Sequence, residues 1–117
     1  MPGENARLEI IDDSIGFDET VIFDVLALLL DPGGGLKKRE AEGYLALTSR
    51  RLIFATAWHG ILVDLSRKEI RGPTAVRYRW MMAHLIVGTD EGTEHTFVLN
   101  KRAAQEISFA INKSRPN

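Results

Sequence analysis

Gly43-Tyr44-Leu45-Ala46-Leu47-Thr48-Ser49-Arg50-Arg51-Leu52-Ile53-Phe54 brings two short apolar runs together across a polar turn. The turn, Thr48-Ser49-Arg50-Arg51, is brief and hydrophilic, and both flanks are aliphatic and aromatic, so the stretch reads as a β-hairpin without an Asn-Gly signal. Leu45, Leu47, Leu52 and Phe54 alternate toward one face, the Thr48 hydroxyl is placed to close the turn on nearby amides, and Gly43 suits a close approach or a bulge. None of these residues carries catalytic chemistry.

Working outward, Val21 to Leu30 begins with β-branched and aromatic residues and stops at Asp31-Pro32-Gly33-Gly34-Gly35, which favours a strand although its second half would suit a helix. Leu36-Lys37-Lys38-Arg39-Glu40 is a basic loop leading into the hairpin. After the turn Ala57-Trp58-His59-Gly60, Ile61 to Leu65 alternates as a strand with Ile61, Val63 and Leu65 inward. Ser66 to Pro73 is a charged connection ending in a breaker pair. Ala75 to Trp80 alternates strictly, with Val76, Tyr78 and Trp80 on one face and Arg77 and Arg79 on the other. Leu85 to Thr89 and Thr96 to Leu99 flank Asp90-Glu91-Gly92 as a further hairpin. From Lys101 to Lys113 the period changes: Ala103, Ala104, Ile107, Ala110 and Ile111 share a helical face, with Asn100 as N-cap. Before all this, Leu8 to Ile15 fits a short helix or a strand and forms an appendage over residues 1–16, leaving 17–115 as the domain.

Composition narrows the function. The 117 residues suit one core. Fifteen Lys and Arg against sixteen Asp and Glu give a net charge of −1, so no global positive field draws the chain to nucleic acid. The absence of Cys fits a reducing compartment, and the acidic start and short apolar runs match neither a signal peptide nor a spanning helix, so a cytoplasmic location is expected. His59, His84 and His95 are scattered singly, with neither metal spacing nor a Ser-His-Asp arrangement. No enzyme activity, cofactor or metal is expected.

Seven strands in hairpin order followed by one helix resemble the pleckstrin-homology (PH) superfold, and the opening stretch closely resembles the Gly-x-Leu-x-Leu-Thr-x-x-Arg-Leu-x-Phe signature of the GRAM and bacterial PH-like families. The resemblance covers about Asp18 to Lys113. It implies a mainly β fold: a seven-stranded, partly open barrel of two orthogonal antiparallel sheets capped by the C-terminal helix. It also implies that the loop bearing Lys37, Lys38 and Arg39 is where phosphoinositide-type head groups are held, although Glu40 and Glu42 follow where that pattern continues with basic residues.

Two functions follow as expectations. The first is a non-catalytic module for protein contact or self-association, using an open strand edge, the apolar tip of Trp80, Met81 and Met82, or Phe109, which falls on the polar side of the last helix and needs the Leu8–Ile15 segment or another chain to cover it. The alternative is a peripheral membrane module in which Lys37, Lys38 and Arg39 meet anionic lipid while Trp58 reaches the interface. For Trp58 itself, capping the barrel mouth and standing in solvent are equally open.

Overall fold

A computed structural model describes residues 9–30 and 40–113, with backbone alone for residues 72–75 and 77–79. The fold is mainly β. Seven antiparallel strands form a curled half-barrel, and a C-terminal helix follows them. In chain order these are β1 (Val21–Leu30), β2 (Glu40–Thr48), β3 (Arg51–Thr56), β4 (Gly60–Ser66), β5 (Ile70–Arg79), β6 (Met82–Thr89) and β7 (Glu94–Asn100). A short helix, α1, occupies residues 9–14, and α2 is Lys101–Lys113.

The hydrogen-bonded order is β4-β3-β2-β1-β7-β6-β5, one continuous sheet whose halves meet where Leu28, Leu29 and Leu30 pair with Val98, Phe97 and Thr96. The opening hairpin forms in register, Leu45 against Phe54 and Leu47 against Leu52. All four of these side chains are fully buried, and Phe54 meets Phe97 of the other half at 5.6 Å between ring centroids. Inward alternation from both halves thus builds one core. The helix packs on β5, β6 and β7 through Ala104, Ile107 and Ile111. Its first turn is capped as expected, the Ala103 amide donating to Asn100 Oδ1 at 2.9 Å.

A second, smaller cluster lies on the outer face of the hairpin. Ile53, Ala55 and Ala46 point away from the core, and Ile11 of α1 covers them at 1 % exposure. This explains why Leu52-Ile53-Phe54-Ala55 is apolar without interruption: the strand is buried on both faces. The described part of Leu8–Ile15 is therefore helical over residues 9–14 and packs on β2 and β3, not on Phe109.

Two strand readings need correction. A bulge on β4 sets Ala55 opposite Ile61 but Phe54 opposite Val63, so Val63 and Leu65 face in while Ile61 is exposed and Leu62 packs on the core. The residues from Ile70 to Pro73 belong to β5 rather than to a connection. Pro73 is tolerated because β5 is an edge strand and the register shifts between Arg71 and Ala75.

Candidate functional site

Three exposed apolar features stand out. The first is the β5–β6 turn. Arg79 pairs with Met82, leaving Trp80-Met81 as a two-residue loop. Trp80 is therefore a turn residue, not an inward strand residue, because its φ of +58° ends the alternation one position early. Positive φ at the first central residue alone is the pattern of a type II′ turn, where glycine is usual. The indole is 90 % exposed, Met81 is nearly as open, and Met82 is partly so.

The second is Phe109, 67 % exposed on α2, with the Lys113 ammonium 5.7 Å from its ring centroid. Because Met82 pairs with Asn100 at the start of α2, the Trp80 turn sits at the helix N-terminal end. Phe109 lies roughly 13 Å further along the helix axis, at 1.5 Å per residue.

The third is the β3–β4 turn. The Thr56 hydroxyl accepts a hydrogen bond from the His59 amide at 2.9 Å, and Gly60 takes a φ of +71° that closes the turn. Trp58, at the tip, is 92 % exposed and does not cap the core. Beneath it is a hollow of about 440 Å³ lined by Leu28, Glu40, Glu42, Thr56 and Trp58, among others. Lys37, Lys38 and Arg39 lie outside the described residues, so the cations expected beside Trp58 are not placed. The charges that are placed there are the carboxylates of Glu40 and Glu42.

At the opposite end of the hairpin is a polar assembly the sequence did not announce. Glu19 accepts from Arg51 Nε at 3.0 Å, Arg51 Nη2 at 3.1 Å and the Gly16 amide at 3.2 Å, and the Thr48 hydroxyl donates to it. Arg51 also donates to Asp64 at 2.9 Å and to the Ser14 carbonyl. The guanidinium holds the Glu19 carboxyl down at about 2, well below its ordinary 4.5. Thr48 in turn accepts the amides of Arg50 and Arg51 at 3.0 and 2.9 Å, closing the turn through its hydroxyl. Nearby, Arg67 donates to the carbonyls of Thr48 at 3.2 Å and Ala110 at 3.0 Å, tying the turn to the last turn of α2.

The histidines occupy separate elements: His59 in the β3–β4 turn, His84 on β6 and His95 on β7. Burial pushes the His95 imidazole below its usual pKa. Sequence reasoning also passed over Ile22 and Leu26, exposed on the outer face of β1, and Phe17 just before it. The signal for Ile22 and Leu26 was present, since alternation in a strand with one face inward leaves these positions outside.

Comparison with protein families finds no match, and comparison with curated proteins finds none. Among solved structures, the chain is similar to the C-terminal domain of an unknown protein from Leishmania infantum, with a TM-score of 0.64 at 17 % identity, covering 93 % of this chain and 94 % of that one. The likeness is one of fold. Among the described residues, no helix is long and apolar enough to cross a membrane.

Proposed function

We propose that this chain is a non-catalytic interaction module of PH-like, GRAM-like build that binds protein, further copies of itself included, through the Trp80-Met81-Met82 tip and Phe109. The strand order β4-β3-β2-β1-β7-β6-β5 with a terminal helix supports the PH-like reading. The observation that carries the binding reading is Trp80. A large aromatic side chain held at φ +58° and 90 % exposed bears backbone strain without gaining burial, and strain of this kind gathers at contact and functional sites. Tryptophan and methionine also suit the anchoring of a partner surface. Such a module would act in the cytoplasm.

Sedimentation velocity across a concentration series, beside a pull-down, tests it. The expected result is a mass that rises with concentration, or a captured partner, with either effect lost in Trp80→Ser and Phe109→Ser. A monodisperse monomer at every concentration with nothing captured overturns it.

The exposure of Trp58 favours a second reading, a peripheral membrane module whose cations are Lys37, Lys38 and Arg39. Its test is co-sedimentation with anionic vesicles. Binding should weaken with salt and disappear in Lys37→Glu with Lys38→Glu, and no binding ends this reading.

A further inference from the structure

The geometry points to the hollow under Trp58 as a receptor for an arginine side chain presented by a partner peptide. This goes beyond the protein-binding reading above, because it concerns a surface separate from Trp80 and Phe109. The hollow is of ligand size at about 440 Å³, and Trp58 is among the residues that line it. Trp58 has no packing duty, being 92 % exposed, yet its turn is fixed by the Thr56–His59 hydrogen bond and by Gly60. Glu40 and Glu42, which stand two residues apart on β2 and are both exposed, line it as well. Among the described residues neither carboxylate has an ion-pair partner. Leu28, pairing with Glu42 across β1 and β2, supplies apolar surface for an aliphatic stem.

An aromatic residue beside two carboxylates that have no ion-pair partner among the described residues is complementary to one kind of group. A guanidinium stacks on an indole and at the same time donates in the plane to a carboxylate, while its three methylenes lie on apolar surface. An ammonium gains the charge term but not the stacking, so lysine binds more weakly. Glu40 and Glu42 themselves repel an anion.

The test is a titration of the full chain with short extended peptides that differ at one residue, arginine, lysine or citrulline, the last being the neutral near-isostere of arginine. Two-dimensional NMR follows the indole N–H of Trp58, with Trp80 as internal reference. A saturable shift of Trp58 is expected with the arginine peptide, a smaller one with lysine and none with citrulline. Trp58→Ala, and Glu40→Gln with Glu42→Gln, should each weaken binding about tenfold. These positions are exposed, and unchanged amide spectra verify the fold in both variants. An unmoved Trp58, an equal shift with citrulline, or unchanged affinity in the glutamine variant overturns the inference. If Trp58 moves in Arg39→Ala before any peptide is added, this chain's own arginine fills the hollow and the partner assignment falls. Sedimentation of Trp58→Ala keeps the two readings apart, because association that persists while peptide binding fails removes this receptor and leaves the Trp80 and Phe109 contact standing.

Discussion

Arg51 grips the carboxylate of Glu19 with two donors, Nε on Oε2 at 3.0 Å and Nη2 on Oε1 at 3.1 Å, across 32 positions of sequence. The Glu19 side chain is only 3 % exposed and that of Arg51 is 21 % exposed. A fork of this kind fixes geometry as well as charge. Through it the chain leading into β1 and the carbonyl of Ser14 at the end of α1 are pinned to the first residue of β3.

The pair predicts an acid dependence. The Glu19 pKa is depressed from 4.5 to about 2 in the folded chain, so its contribution is fully present above pH 4.5 and is lost as pH falls toward 2. Allowing for the solvent on which Arg51 opens, that contribution is on the order of 2 kcal/mol. Urea unfolding of the native chain should show this loss between pH 4.5 and pH 2. Glu19→Gln should be about 2 kcal/mol less stable at neutral pH and lack that part of the acid slope. Parallel pH profiles for the two proteins would show that the pair is energetically idle.

Gly43 has no room for a side chain. A Cβ there would stand 2.2 Å from the Ala55 carbonyl oxygen and 3.0 Å from Phe54 Cζ, and the oxygen belongs to the backbone of β3. Relief requires the hairpin to separate where it is buried on both faces. Gly43→Ala is expected to lose at least ~2 kcal/mol, or about 8–10 °C in Tm. A melting curve within 2 °C of the native one would mean that the strands part easily at this point.

What the sequence disclosed divides along physical lines. Leu45, Leu47, Leu52 and Phe54 were legible as inward residues because alternation and burial share a period of two in a strand. Asn100 was legible because a cap is a local device. The Glu19–Arg51 pair was not, since nothing local links positions 32 apart, and Arg51 read as part of a polar turn and as the Arg of the resembled signature, with no carboxylate assigned to it. Ile61 and Trp80 were misplaced for a common reason: a bulge and a positive-φ turn each interrupt alternation, and neither has a glycine at the critical residue to mark it. At the candidate site, Trp58, Trp80, Met81 and Phe109 drew attention as large apolar residues in polar surroundings. The hollow joining Trp58 to Glu40 and Glu42 appears only once β2 and the β3–β4 turn are side by side.

Ile11 offers a test of how firmly α1 belongs to the domain. It is 1 % exposed against Ala46, Ile53 and Ala55, and truncation to alanine leaves a gap above three residues that otherwise face water. A gap that persists would cost about 2–4 kcal/mol. Undocking of α1 sets a ceiling on that loss, because the main core beneath β2 and β3 remains intact. Hydrogen exchange distinguishes the outcomes. In Ile11→Ala the amides of α1 should exchange much faster while those of β2 and β3 stay protected. Unchanged α1 protection would contradict the docking role assigned to Ile11.

Trp80 carries the sharpest prediction, because its costs and its proposed use separate on substitution. Glycine takes φ +58° freely, so Trp80→Gly relieves strain of roughly 1–3 kcal/mol and returns about 1 kcal/mol in unfolded-chain entropy. The variant should therefore be up to about 2 kcal/mol more stable than the native chain, read as a higher urea midpoint at unchanged slope. The same substitution removes the exposed indole, so association should weaken as stability rises. Phe109→Ser, at an exposed helix position, should change stability by no more than about 0.5 kcal/mol while also weakening association. A stability gain without loss of association would place the partner surface elsewhere. A loss of stability in Trp80→Gly would mean that the indole packs on the domain in solution, and the reason for treating it as an anchor would disappear.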